Sequence, residues 1–140
     1  MTIQLSLLQK LLKVIIGVTL FTAGVTHLTV ARSEFLAQVP AWVPLNPDLT
    51  VLLSGFVEIA LGLLLMFKIK KAYKIGILTA LFFVAVFPGN ISQYMNGIDA
   101  FGLDTDRSRL IRLFFQPVLC IWALYSTGAI TYLTHRKTKE

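Results

Sequence analysis

The sequence is poor in charge, cysteine and histidine. Charged residues make up 14% of its 140 residues, against about 25% in an ordinary soluble domain. That shortage argues against a soluble globular protein. A single cysteine, Cys120, excludes an internal disulfide and a CxxC redox pair. The two histidines, His27 and His135, lie far apart and form no pattern for b-type haem. We therefore expect no metal site and no redox centre carried by the chain itself.

Apolar residues are what the sequence has in abundance, at 56% of the chain. They form four stretches, each near the ~20 residues that a helix needs to cross ~30 Å of hydrocarbon. Only helices satisfy their own backbone within one such stretch. The sequence thus predicts an all-α, integral membrane four-transmembrane-helix bundle that forms one domain over 1–140. The predicted helices cover residues 8–30, 49–67, 72–88 and 110–133.

The first stretch also has the outline of a secretory signal peptide, because Lys10 and Lys13 precede an apolar run. Its length and His27 near its end favour a retained helix. Nine of the 13 basic residues fall on one side of the predicted bundle. The positive-inside rule then places both termini in the cytoplasm, with a basic tail over 134–140. The net charge of +6 clusters at the ends of apolar segments, so we expect the lipid bilayer as partner and no nucleic acid.

The segment between the first two helices, "ARSEFLAQVPAWVPLNPD", mixes apolar side chains with three prolines. It predicts an interfacial segment, or one that dips back over the bundle. Trp42 and Pro44 are candidates for a lid over a site. The competing interpretation is that Trp42 only anchors the chain in the membrane interface. In the second outer loop, Asp104 or Thr105 is expected to cap the fourth helix.

One carboxylate, Glu58, lies within the second apolar stretch, where an ionisable group costs several kcal/mol unless it has a partner or a task. Ser54, Glu58 and Gly62 share a helix face of small and polar residues, which is typical of a helix–helix interface. Glu58 should therefore face the bundle interior. Helical spacing and depth place further polar groups toward the same, outer half. The predicted pocket contains His27, Glu58, Asn90, Arg112 and Gln116.

Each of these residues also has a purely structural interpretation: His27 could be a helix-interface residue, and Arg112 a loop-side anchor that pairs with Asp104 or Asp106. Glu58 could be a protonated, hydrogen-bonded carboxyl group, or an ion pair with His27 or Arg112. Asn90 follows Pro88 and Gly89 and could cap a helix end. Gln116 precedes Pro117 and could satisfy backbone groups that the proline frees.

The ordered motifs "GVTLFTAGVTHL", "VPAWVP", "LSGFVEIALGLLLMF", "VFPGNI" and "RLFFQPVLCIWAL" resemble the DoxX-like family of small four-helix membrane proteins. The resemblance runs from about residue 12 to 125. It implies a multi-pass protein of the bacterial cytoplasmic (inner) membrane, with the five pocket residues in the family's polar positions. It also implies association with quinone-linked oxidoreductase complexes for some relatives, with oxidative-stress partners for others, and membrane-protein assembly for distant ones.

Three functions stay open from the sequence. The first is binding of a quinone, or service as a subunit of a quinone oxidoreductase, with His27 and Glu58 exchanging protons. The second is a non-enzymatic role as partner or assembly factor for a membrane or redox protein, in which small-residue helix faces dock a client. The third is binding or transport of a small solute, which the absence of inverted repeats disfavours.

Overall fold

The computed structural model describes the backbone of residues 3–137 and the side chains of residues 3–135. This part of the chain is all-α. Its six helices are α1 (Leu7–Leu28), α2 (Arg32–Gln38), α3 (Pro47–Met66), α4 (Ala72–Met95), α5 (Asp106–Ser126) and α6 (Ala129–Lys137). Helices α1, α3 and α4 are each long and apolar enough to cross a membrane. A fourth span exists if α5 and α6, which meet at a bend of 73°, are counted together. These are the features of a multi-pass membrane protein.

A side-chain cap marks the start of three of the four long helices, α1, α3 and α5, whereas α4 has none. The Ser6 side chain accepts from the backbone of Gln9, and the Gln9 side chain accepts from the backbone of Ser6, which forms a capping box before α1. Asn46 caps α3, whose first residue is Pro47. Thr105 caps α5, as one of the two expected residues.

Two of the predicted helices differ from the structure. The helix predicted over 110–133 is two helices, because Gly128 takes a positive φ of 74° that ends α5 and turns the chain into α6. Residues 134–137, predicted as tail, belong to α6, and 138–140 lie outside the described residues. The helix predicted to end at Pro88 continues to Met95. A proline is tolerated within an apolar helix when neighbouring groups satisfy the freed backbone.

Helices α1 and α3 form the most extensive helix–helix contact in the described part of the chain, and they meet at glycines. A methyl group added at Gly24 would lie 2.6 Å from the carbonyl oxygen of Gly55, and one added at Gly62 would lie 2.7 Å from that of Gly17. Only glycine permits so close an approach of two helix backbones. The small-residue stripe that the sequence predicted for an interface is therefore used within the chain, between α1 and α3.

The second close pair is α4 with α5. The two pairs meet around an apolar core near the basic end of the bundle, formed by Ile16, Leu20, Leu61, Leu65, Phe83 and Ala123. Contacts between the two pairs are much fewer than contacts within each pair. The fold thus consists of two tightly packed helix pairs that leave space between them.

Candidate functional site

The space between the two pairs is a cavity of about 740 Å³. Helices α1 and α3 form one wall, α4 and α5 form the other, and α2 with the loop before α5 covers the outer end. Most of the lining is apolar. All five polar residues predicted from the sequence line this cavity, namely His27, Glu58, Asn90, Arg112 and Gln116.

The first wall brings His27 and Glu58 together. His27 Nδ1 lies 2.7 Å from Glu58 Oε2 and 2.9 Å from the carbonyl oxygen of Ala23. Both side chains are about nine-tenths buried. The ring nitrogen is aligned with the Ala23 carbonyl, one turn back on α1, and not with the carboxyl oxygen. Within the described residues, Glu58 Oε2 therefore has no aligned hydrogen-bond donor.

Of the two partners considered for Glu58, His27 is in contact with it and Arg112 is not. The contact is close but incomplete as a hydrogen bond. A buried acceptor whose nearest donor is misaligned loses part of the free energy of about 1–3 kcal/mol that a buried acceptor with no donor would lose. The last torsion of a glutamate is broad, so the carboxyl group can turn Oε2 toward the cavity. An occupant that donates a hydrogen bond there would recover that free energy.

The second wall has a hydrogen-bonded pair of amides. Asn90 Nδ2 donates to Gln116 Oε1 at 3.0 Å, and Gln116 Nε2 donates to the carbonyl oxygen of Phe83 at 2.8 Å. Asn90 is thus not a helix-end cap, since α4 continues past it. Gln116 satisfies a carbonyl of α4 and not one freed by Pro117 on its own helix. These contacts fix the distance between α4 and α5 beside the cavity.

Arg112 lies at the outer end of the same wall. Its guanidinium donates to Gln93 Oε1 at 3.1 Å and to Gln38 Oε1 at 3.4 Å, and it lies 4.6 Å from the centre of the Phe101 ring. None of the carboxylates in the described part of the chain is within ion-pair distance of it. The cation is held by neutral amides and an aromatic face, which leaves its positive charge uncompensated.

The groups that hold Arg112 and cover the cavity were not predicted from the sequence. Gln38 and Gln93 donate and accept across the outer end, with Gln38 Nε2 lying 2.6 Å from Gln93 Oε1. Phe35 stacks on His27 at 3.3 Å between ring centres and meets Phe101 edge-on at 4.6 Å. Phe35 and Gln38 lie three residues apart on α2, but a helix of 7 residues is too short to show a period in the sequence.

Phe101 has an unusual backbone. Its φ of 57° is positive, which is rare for a bulky residue and costs free energy. The Phe101 N–H donates to the Glu34 carboxylate of α2. Arg109 supports the same loop, because it donates to the carbonyl of Ile98 at 3.2 Å and pairs with Asp99 and with Asp106. Arg109 is therefore a structural cation, unlike Arg112.

Neither of the two candidate lid residues lines the main cavity. Trp42 lines a second, smaller cavity of about 320 Å³ beside the first, but its side chain is 70% exposed. Pro44 is exposed and lines neither cavity. His27, Phe35 and Gln38 line both cavities and form the partition between them. The cover over the main cavity is thus α2, and not the Trp42–Pro44 segment.

Across the described residues, no group of three histidine, cysteine or acidic side chains is placed to hold a metal ion. The polar groups of the cavity instead suit a molecule that forms hydrogen bonds. Its wall offers an acceptor at Glu58 and donors at Arg112, separated by apolar surface.

Comparison with protein-family models gives a match over residues 16–127, most of the chain, to "Domain of unknown function (DUF8561)". The chain belongs to this family. The resemblance to the DoxX-like family was wrong. The motif glycines of α1 and α3 serve helix packing here, while Pro88 and Pro117 lie inside α4 and α5, and small-residue packing motifs recur among unrelated membrane bundles. No curated protein matches the chain, and no solved structure does.

Proposed function

We propose that this protein binds a lipid-soluble molecule, with a polar head group, in the cavity between its two helix pairs. The observation that carries the proposal is Glu58, a buried carboxyl group on the cavity wall with one oxygen that lacks an aligned donor. Binding pockets are typically apolar with a few placed polar groups, and this cavity has that composition. Its volume is in the range of such pockets.

The two charged residues suggest the chemistry of the head group. Glu58 accepts a hydrogen bond, and Arg112 donates to an oxygen without competition from a carboxylate. A ring with a hydroxyl at one position and a carbonyl or second hydroxyl at another is complementary to both. Quinones and quinols are the class of this description that dissolves in membranes. The proposal concerns binding, with His27 beside Glu58 as a second group able to exchange a proton.

The membrane placement is part of this proposal. We infer four spans, with α5 and α6 together forming the last, and both termini in the cytoplasm of a bacterial inner membrane. The basic residues of the α3–α4 turn support this orientation, because Lys68, Lys70 and Lys71 lie at the same end as Lys10 and Lys13 of α1. The cavity then opens in the outer half of the membrane.

The alternative of an assembly factor that docks clients through small-residue faces has less support. The glycine faces of α1 and α3 are buried against each other. A client would therefore need a different surface.

The test is binding of a decyl-substituted benzoquinol and its benzoquinone to the protein in lipid nanodiscs. Thermal shift and native mass spectrometry would compare wild type with Glu58→Gln. We expect stabilisation of the wild type by the probe. Because a hydrogen bond to a charged group is worth about 1.5–3 kcal/mol, Glu58→Gln should lose about tenfold or more in affinity for the quinol.

The matched control is Asp104→Asn, which makes the same chemical change at an exposed carboxylate outside the main cavity. It should bind the probe as the wild type does. A wild type that neither retains nor is stabilised by either probe would contradict the proposal for this class. Equal affinity of wild type and Glu58→Gln would remove Glu58 from the binding site.

A further inference from the structure

Helix α2 covers the outer aqueous end of the cavity. Helix α2 lies across it and is fixed at several points, including Arg32 to Asp48 of α3 at 2.5 Å and Gln38 to Gln93 of α4 at 2.6 Å. The Phe35 ring fills the space beneath, stacked on His27. A water-soluble molecule would have to displace α2 and break these contacts in order to enter.

The side of the cavity between α1 and α5 is not covered by α2. These two helices are joined near the basic end, where Gln9 Nε2 donates to the carbonyl of Tyr125 at 2.9 Å and Trp122 Nε1 donates to that of Leu12 at 3.0 Å. Away from that end, the cavity separates them. Its lining there includes exposed residues of both helices. The rim is formed by Thr19 of α1 with Ile111 and Phe115 of α5.

The surface around this rim is apolar. Ile111 is 61% and Phe115 51% exposed, and the neighbouring Phe114 and Val118 are exposed as well. Thr19 lies about 18 Å along α1 from Leu7 at 1.5 Å per residue. Its hydroxyl donates to the carbonyl of Ile15 on its own helix, so it presents little polarity to lipid. A rim of this composition at this depth faces hydrocarbon.

We propose that the gap between α1 and α5 is a lateral portal, through which the ligand enters from the bilayer and not from water. The chemical class of the ligand is thereby narrowed to an amphiphile whose apolar tail stays between α1 and α5, in contact with lipid, while its head group reaches Glu58. The identity of the head group rests on the proposed function, but the portal itself does not.

The first experiment measures the association rate of the decyl-benzoquinol with the protein in nanodiscs. Thr19→Trp places a large side chain in the rim, and Val18→Trp makes a similar change at the adjacent, exposed residue that does not line the cavity. We expect Thr19→Trp to slow association at least tenfold and Val18→Trp to change it less than twofold. Arg32→Gln, which loosens α2, should leave the rate unchanged.

Faster association in Arg32→Gln, together with no effect of Thr19→Trp, would overturn the portal and assign entry to the aqueous side. Loss of binding in Glu58→Gln with a normal wild-type rate would still support the proposed function. The two proposals therefore fail separately.

A second measurement needs no ligand. Methyl NMR in nanodiscs that contain a phospholipid with a nitroxide on its acyl chain reports which side chains lipid tails approach. Leu20 lines the cavity, whereas Leu61 is similarly buried but does not line it. We expect the methyl signals of Leu20 to be broadened. Thr19→Trp should reduce this broadening, and Val18→Trp should not. Broadening that is equal at Leu20 and Leu61 and insensitive to Thr19→Trp would refute an open portal.

Discussion

Replacing Gly62 by alanine should destabilise the bundle, although alanine is the better helix former. The added methyl group would lie 2.6 Å from the backbone nitrogen of Phe21 and 2.7 Å from the carbonyl oxygen of Gly17. Both are backbone atoms, which cannot rotate away, so α1 and α3 must separate. Overpacking of this kind costs about 1–3 kcal/mol, while the propensity gain is about 1 kcal/mol. With two rigid contacts this close, we expect a net loss of about 1–2 kcal/mol in the free energy of unfolding.

The matched control is Gly89→Ala in α4. The nearest atom to a methyl group there is the carbonyl oxygen of Gln38 at 3.4 Å, an ordinary contact. This variant should be unchanged or more stable by up to about 1 kcal/mol. Equilibrium unfolding in mixed micelles measures both. If Gly62→Ala proved as stable as Gly89→Ala, the close backbone approach of α1 and α3 would be refuted.

Other predictions concern buried polar contacts elsewhere in the bundle. Lys13→Met should cost about 1.5–3 kcal/mol in the same unfolding assay, because the Lys13 ammonium donates to the carbonyls of Leu65 and Phe67 at the end of α3. Lys10→Met, at an exposed position, should change the free energy of unfolding by less than about 0.5 kcal/mol. Equal losses in Lys13→Met and Lys10→Met would contradict the role of Lys13 in capping the end of α3. A double-mutant cycle of Asn90→Ala and Gln116→Ala should give a coupling of about 0.5–1.5 kcal/mol, whereas additive losses would deny their hydrogen bond.

Much of the candidate site was predictable because helical periodicity is strict. Glu58 and His27 each lie on the small-residue face of an apolar helix, and two such faces pack together. Arg112 and Gln116 are four residues apart and share a face by the same rule. The pairing of α1 with α3, and of α4 with α5, then brings the five polar residues to one cavity.

The cover over the site was not predictable in the same way. Helix α2 has only seven residues, too few for a periodic pattern, and it depends on contacts with distant residues such as Asp48 and Gln93. Because α4 was predicted to end at Pro88, Gln93 was not recognised as a residue of this helix, one turn beyond Asn90. The break at Gly128 was missed because the apolar pattern continues across it.

The division of the bundle into two pairs also has a mechanical consequence. Glu58 and His27 belong to one pair, and Asn90, Gln116 and Arg112 belong to the other. A molecule that contacts both sets would bridge the two pairs. It would influence their separation, while the glycine contacts between α1 and α3 stay intact. Because α2 touches α1, α3 and α4, a change in that separation would move α2 at the outer surface.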